Sequence, residues 1–165
     1  MALQLFKIAD VAVPSTQATV SFTSIPVGYT DLVLKVSARS NFATIGDTIY
    51  LELNNSSTNF TSRYLRGSGS AADSGNLNQF GGYADGASET ANTFSNIDLY
   101  FPNYTSSNYK SYSVDSVDEN NATQAYQVLI AGLWSNTAAI NQITLTLNAG
   151  RSFVANTTAT LYGVL

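Results

Sequence analysis

The sequence predicts an all-β protein, a sandwich or barrel of antiparallel strands, and three observations carry that reading. Apolar and polar residues alternate in many short stretches, a period of two that sends successive side chains to opposite faces of a strand. The three-and-four spacing that builds the apolar stripe of a helix does not recur. Between the alternating stretches stand Gly, Pro, Asn and Asp, the residues that turns select.

In chain order, the first strand covers 3–9 and the second centres on Val20 and Phe22. Ile25-Pro26-Val27-Gly28-Tyr29 follows; proline fixes one backbone angle and glycine relaxes another, which suits a turn and no helix. That turn delivers 31–39, where Leu32, Leu34, Val36 and Ala38 alternate with Val33, Lys35, Ser37 and Arg39. Further alternations run through Ile49, Leu51 and Leu53; Ile97, Leu99 and Phe101; Tyr112 and Val114; Tyr126, Val128 and Ile130; Ile143, Leu145 and Leu147; and Ala159, Leu161 and Val164. These make about nine strands, with a weaker one at 60–66. Breaks are expected at Gly46-Asp47, Asn54-Asn55-Ser56, Pro102-Asn103, 118–121 and Asn148-Ala149-Gly150.

The stretch 67–93 has no period and is dominated by Gly, Ala, Ser and Asn. It reads as a long flexible loop, of the kind that is functional or ordered only by a partner. Within it, Phe80 and Tyr83 are large aromatics with no alternation to bury them, and they are the expected partner contacts. Phe80, Tyr83, Tyr104, Tyr109 and Trp134 could equally form a platform for sugar rings, although Trp134, after a hydrophobic strand, is expected in the core. Nothing else suggests a linker or boundary, so 1–165 reads as one domain.

Chemistry-bearing motifs are few. Gly67-Ser68-Gly69-Ser70-Ala71-Ala72 faintly resembles a dinucleotide-binding turn, but no amphipathic helix and no lysine follows it. Asp115, Asp118 and Glu119 could ligate calcium or act as a glycosidase carboxylate pair; a solvated turn is the simpler expectation. There is no cysteine and no histidine among the 165 residues, which removes disulfides, thiolate and imidazole metal sites and the usual general base. No serine has a recognisable base, so no enzyme, cofactor or metal is expected.

Charged residues are 11% of the chain and the net charge is −4, a poor match to a phosphate backbone, so nucleic acid is not an expected partner. No run of about eighteen apolar residues suggests a membrane span, and the N-terminus lacks the features of a secretory signal. For that reason the Asn-x-Ser/Thr triplets at Asn54, Asn55, Asn59, Asn103, Asn121 and Asn156 read as chance in an Asn-rich chain rather than as glycosylation sites.

Four strings, "FTSIPVGYTDLVLKVSARS", "ANTFSNIDLYFPNYTSSNYKSYSVDSVDENNAT", "AYQVLIAGLWSNTAAINQITLT" and "TATLYGVL", together resemble a group of small virion proteins of tailed phages, including cyanophages. The resemblance implies a jelly-roll-like sandwich of about eight to ten strands and a place in the particle after synthesis in the host cytoplasm. It carries no catalytic motif. The role it implies is a capsid cement or decoration protein that binds the major capsid protein in the assembled lattice; the alternative is a carbohydrate-binding adhesin at a tail fibre or tail tip, with host surface glycans as partner. Apolar terminal strands and few charges to guard sheet edges add the expectation of a closed oligomer, a homotrimer.

Overall fold

The computed structural model describes residues 4–121 and 124–165. Among these residues there are twelve strands: β1 Leu5–Ala12, β2 Thr19–Phe22, β3 Asp31–Ala38, β4 Gly46–Leu53, β5 Phe60–Gly67, β6 Ala72–Asn76, β7 Phe80–Asp85, β8 Ser95–Phe101, β9 Lys110–Asp118, β10 Tyr126–Trp134, β11 Ile143–Thr146 and β12 Thr158–Val164. They form two antiparallel sheets, one of eight strands in the order β1-β12-β3-β8-β9-β10-β5-β6 and one of four in the order β2-β11-β4-β7. Without β5, β6, β9 and β10, the order becomes β1-β12-β3-β8 over β2-β11-β4-β7. That interleaving of early and late strands is the two-sheet wrap of a jelly roll.

The predicted alternation is visible in burial. Along β3, Leu32, Leu34, Val36 and Ala38 are buried while Lys35 is exposed; β4 and β8 repeat the pattern with Ile49, Leu51 and Leu53 and with Ile97, Leu99 and Phe101. These side chains meet in one apolar layer between the sheets. Trp134 and Tyr104 lie fully inside it, as expected for Trp134; the Tyr104 hydroxyl donates to the Pro26 carbonyl, tying the 102–109 segment to the turn before β3. Close packing sets local sequence too. A Cβ at Gly132 would lie 2.0 Å from the Tyr112 ring, and one at Gly163 would lie 2.2 Å from Tyr29, so both strands need glycine where an aromatic ring crosses them.

Three readings of the sequence are corrected. The strand count exceeds the expected eight to ten because the stretch 67–93 holds β6 and β7 instead of being one structureless loop. Its alternation is hidden: Phe80, Gly81 and Gly82 are buried in succession, with a register irregularity between Thr48 and Tyr50 on the facing strand and Gly82 at φ 110°. Bulged pairing of this kind breaks the period of two. Gly46-Asp47 is the beginning of β4 rather than a turn, with Asp47 completely buried. The strand expected at 3–9 is β1, displaced toward the C-terminus; its first residue, Leu3, lies outside the described residues.

The turn chemistry has a clean signature. All six asparagines of the Asn-x-Ser/Thr triplets have left-handed backbones, with φ from 48° at Asn103 to 71° at Asn156. Asparagine tolerates that conformation better than other residues with a Cβ, so turn geometry accounts for asparagine at each of these positions.

Phe80 tests the correction directly, since its ring is fully buried and makes edge contacts with Tyr64 and Tyr83. Phe80→Ala should cost about 3–5 kcal/mol of stability in chemical denaturation; a loss below about 1 kcal/mol would return the segment to the surface.

Candidate functional site

Phe80, expected to touch a partner, is a core residue and cannot do so. Tyr83 is half-buried: its ring packs on Phe80 and Tyr126, and its hydroxyl accepts from Arg66 Nη1 at 3.2 Å. Arg66 lies over the Tyr126 ring and forms a two-pronged ion pair with Asp73 of β6, at 2.9 and 3.0 Å. Together these side chains close the end of the large sheet that extends past the small one. Burial raises the Tyr83 hydroxyl pKa, and the neighbouring Arg66 only partly opposes it, so it remains a neutral phenol.

Two other regions have the features of functional surfaces; nothing in the sequence announces the first, and of the second only Asp118 stands out there. The first is a groove of about 570 Å³ on the outer face of the large sheet. Cross-strand register explains its shape. One row across the sheet reads Tyr100, Ser113, Ala131, Arg63, and the next reads Asp98, Asp115, Leu129, Leu65. In the first row two small side chains stand between two large ones, which leaves a trough. Leu65 is 56% exposed, Leu129 51% and Tyr100 40%, an apolar cluster on an outer face where strands usually turn polar residues to water. Asp98 is held by Lys35 at 2.6 Å, Asp115 by Gln127 at 2.8 Å, and the Tyr100 hydroxyl donates to Asp31 at 2.6 Å.

The second is a set of buried carboxyl groups where β7 passes over β9. Asp85 and Asp118 are completely buried and Glu89 is 7% exposed. None of the four carboxyl oxygens of Asp85 and Asp118 accepts a hydrogen bond from an N–H or hydroxyl donor; the two carboxyl groups face each other, with the Thr93 hydroxyl and Glu89 beside them. Glu89 accepts from the Asn120 amide through its other oxygen. The backbone of Gly46 presses close: a Cβ there would lie 2.7 Å from Asp118 Oδ2. The nearest cation, Arg39, has its guanidinium bonded to the carbonyls of Glu89, Thr90 and Thr93 at 3.1, 2.9 and 2.9 Å rather than to a carboxylate. No group of three or more acidic side chains among the described residues is disposed to hold a metal ion.

Desolvation, followed by the charges of Asp85 and Glu89, pushes the Asp118 carboxyl up to about 9 from an ordinary 3.8. Burial raises Asp85 and Glu89 as well. Asp118 therefore keeps its proton at neutral pH and offers it to Asp85. The expected solvated acidic turn is corrected accordingly: of its three residues Asp115 faces the groove, Glu119 is exposed, and Asp118 turns inward to partners about thirty residues away in the chain. One signal was available, because Asp118 is in phase with the inward Tyr112, Val114 and Ser116.

No family model, curated protein or solved structure matches the chain.

A carboxyl held protonated only in the folded state stabilises the fold fully below its unfolded pKa and loses that contribution as pH rises through its folded pKa. Unfolding free energy should accordingly fall between about pH 4 and pH 9, by at most ~1.4 kcal/mol per pH unit for one such group. Asp118→Asn, which mimics the protonated acid, should flatten the dependence; identical pH profiles for the two proteins in denaturant titrations would disprove the assignment.

Proposed function

We propose that the chain is a non-enzymatic structural protein of a tailed-phage virion, a cement or decoration subunit that binds the assembled capsid lattice and stabilises it. The observation that carries this reading is the exposed Leu65, Leu129 and Tyr100 groove on the broad eight-stranded sheet, taken with the resemblance of the four quoted strings. An apolar patch on an otherwise neutral polar surface is how a protein of low charge presents a contact.

Sheet edges contribute less than the sequence suggested. β1 carries a bulge between Lys7 and Ala9 and the exposed Lys7–Asp10 pair at 2.7 Å; β6 has no large apolar residue; β2 has only four residues; and β7 is bulged against β4. Each is a recognised way of discouraging edge-to-edge pairing. Attachment through a sheet face fits these edges better than attachment through strand addition. Binding only to the assembled lattice stabilises it by mass action, and a homotrimer would raise the effective concentration of its second and third contacts.

A second reading, a carbohydrate-binding adhesin at a tail fibre or tip, is favoured by one feature of the same groove: the Tyr100 ring stands beside Asp98, Asp115, Ser113 and Arg63. An aromatic face flanked by charged and hydroxyl groups suits a sugar ring.

Light scattering on the purified protein at micromolar concentration should give the mass of a trimer, and a clean monomer would remove that part of the proposal. Attachment through apolar and neutral polar contacts should also survive salt. The protein should rebind depleted phage heads at about 0.5 M salt, where screening acts within a few ångströms, and raise the temperature at which they release DNA. Replacing Leu65 and Leu129 by serine should abolish both effects. Location only at the tail, together with glycan binding that Tyr100→Ala removes, would overturn the cement reading in favour of the adhesin.

A further inference from the structure

We propose that Asp85 and Asp118 form a proton-held latch that keeps the 86–94 segment closed over one end of the sandwich and releases it when the pair loses its shared proton. Besides that pair, the side chains that tie the segment down are Asn120, on the Glu89 carboxylate, and Arg39. Its one large apolar side chain, Phe94, is only half-buried, and it is fastened by backbone bonds to the 39–45 turn: Gly86 N to Ile45 O at 2.6 Å, Ala87 N to Phe42 O at 2.7 Å and Ser88 N to Thr44 O at 3.3 Å. Arg39 adds the carbonyl bonds described above. Weakly packed segments held by a few exposed backbone bonds open with much less free energy than core strands.

The groups that face the pair come from every neighbouring element. Asp85 ends β7; Asp118 ends β9, with Glu119 beside it; Glu89 and Thr93 project from the segment itself; Arg39 follows β3; and the Gly46 backbone of β4 closes the remaining side. Asp47, next in β4, is neutralised by Arg151. The balance is two acids in contact, a third against them and a fourth nearby, with one guanidinium already bonded to carbonyls. With a shared proton, Asp118 donates to Asp85 and the contact is attractive. Without it, two carboxylates touch in a space closed to water, where unpaired charge is strongly unfavourable. The segment carrying Glu89 is the part that can yield, because Asp85 and Asp118 themselves are anchored in strands. The latch is independent of any role in a virion.

Hydrogen exchange with correction for intrinsic rates tests it on the intact protein. From about pH 7 to about pH 10, protection of the Gly86, Ala87 and Ser88 amides should fall by about tenfold or more beyond any loss shown by amides in β3 and β8, which follow global stability alone. In Asp118→Asn the same amides should stay protected at both pH values. In the wild-type protein the infrared C=O stretch of a protonated carboxyl should be present at neutral pH and vanish in step with the loss of protection; this readout decides the matter even if the variant does not fold. Equal loss in variant and wild type, uniform loss across the sheet, or no protonated-carboxyl band at neutral pH would each overturn the latch.

Discussion

The constraint on which the rest depends is a mismatch of width: eight strands must bury one face, and only four strands lie against them. The core pairs β1-β12-β3-β8 and β2-β11-β4-β7 match in number, so the overhang is β9, β10, β5 and β6. β7, at the edge of the small sheet, packs against β8, β9 and β10 and covers the nearest part. The outermost part is closed by side chains instead of strands, with Tyr64, Tyr83 and Tyr126 arranged around Arg66. Rings with polar tips suit such a rim, because one end packs on the core while the other reaches water or an ion. Both candidate surfaces lie along the overhang: β9, β10 and β5, with Asp98 and Tyr100 of the adjoining β8, supply the groove on its outside, and the crossing of β7 over β9 traps the carboxyl groups within.

What was legible in the sequence follows the same division. Strands that pack squarely between the sheets advertise themselves, as β3 and β4 do, because one face is wholly apolar and the other is not. β6 could not be read: Ala72-Asp73-Ser74-Gly75-Asn76 buries no large side chain and owes its place to backbone pairing with β5. β7 could not be read because two glycines and a bulge interrupt its period. The groove was invisible for a different reason. Ser113 and Ala131 are unremarkable until register sets them side by side between Tyr100 and Arg63, and register is a long-range property.

Asp47 and Asp118 show how the chain deals with buried charge when cations are scarce. Both are fully buried. Asp47 is paired through Oδ1 with Arg151, whose guanidinium also stacks 3.5 Å from the Phe42 ring centroid, while its Oδ2 is buried without a hydrogen-bond partner. Asp118 has no such partner and remains neutral by holding a proton. Which arrangement each acid has is set by which one faces one of only seven Lys and Arg residues.

Lys110 completes the picture from the other end of β9. It is buried, and its ammonium donates to the carbonyls of Ser106, Asn108 and Thr137 at 2.6, 2.5 and 3.4 Å; burial lowers its pKa. The inward row of β9 thus reads Lys110, Tyr112, Val114, Ser116, Asp118, with a polar group at each end. Apolar alternation alone tolerates a slip of two residues, since every side chain keeps its face. Here such a slip would take Lys110 away from its three carbonyls and Asp118 away from Asp85, leaving both groups buried without partners, a cost far above the loss of one apolar contact. The two ends of the strand therefore set its register more sharply than the apolar residues between them, and through that register they fix the trough on the opposite face.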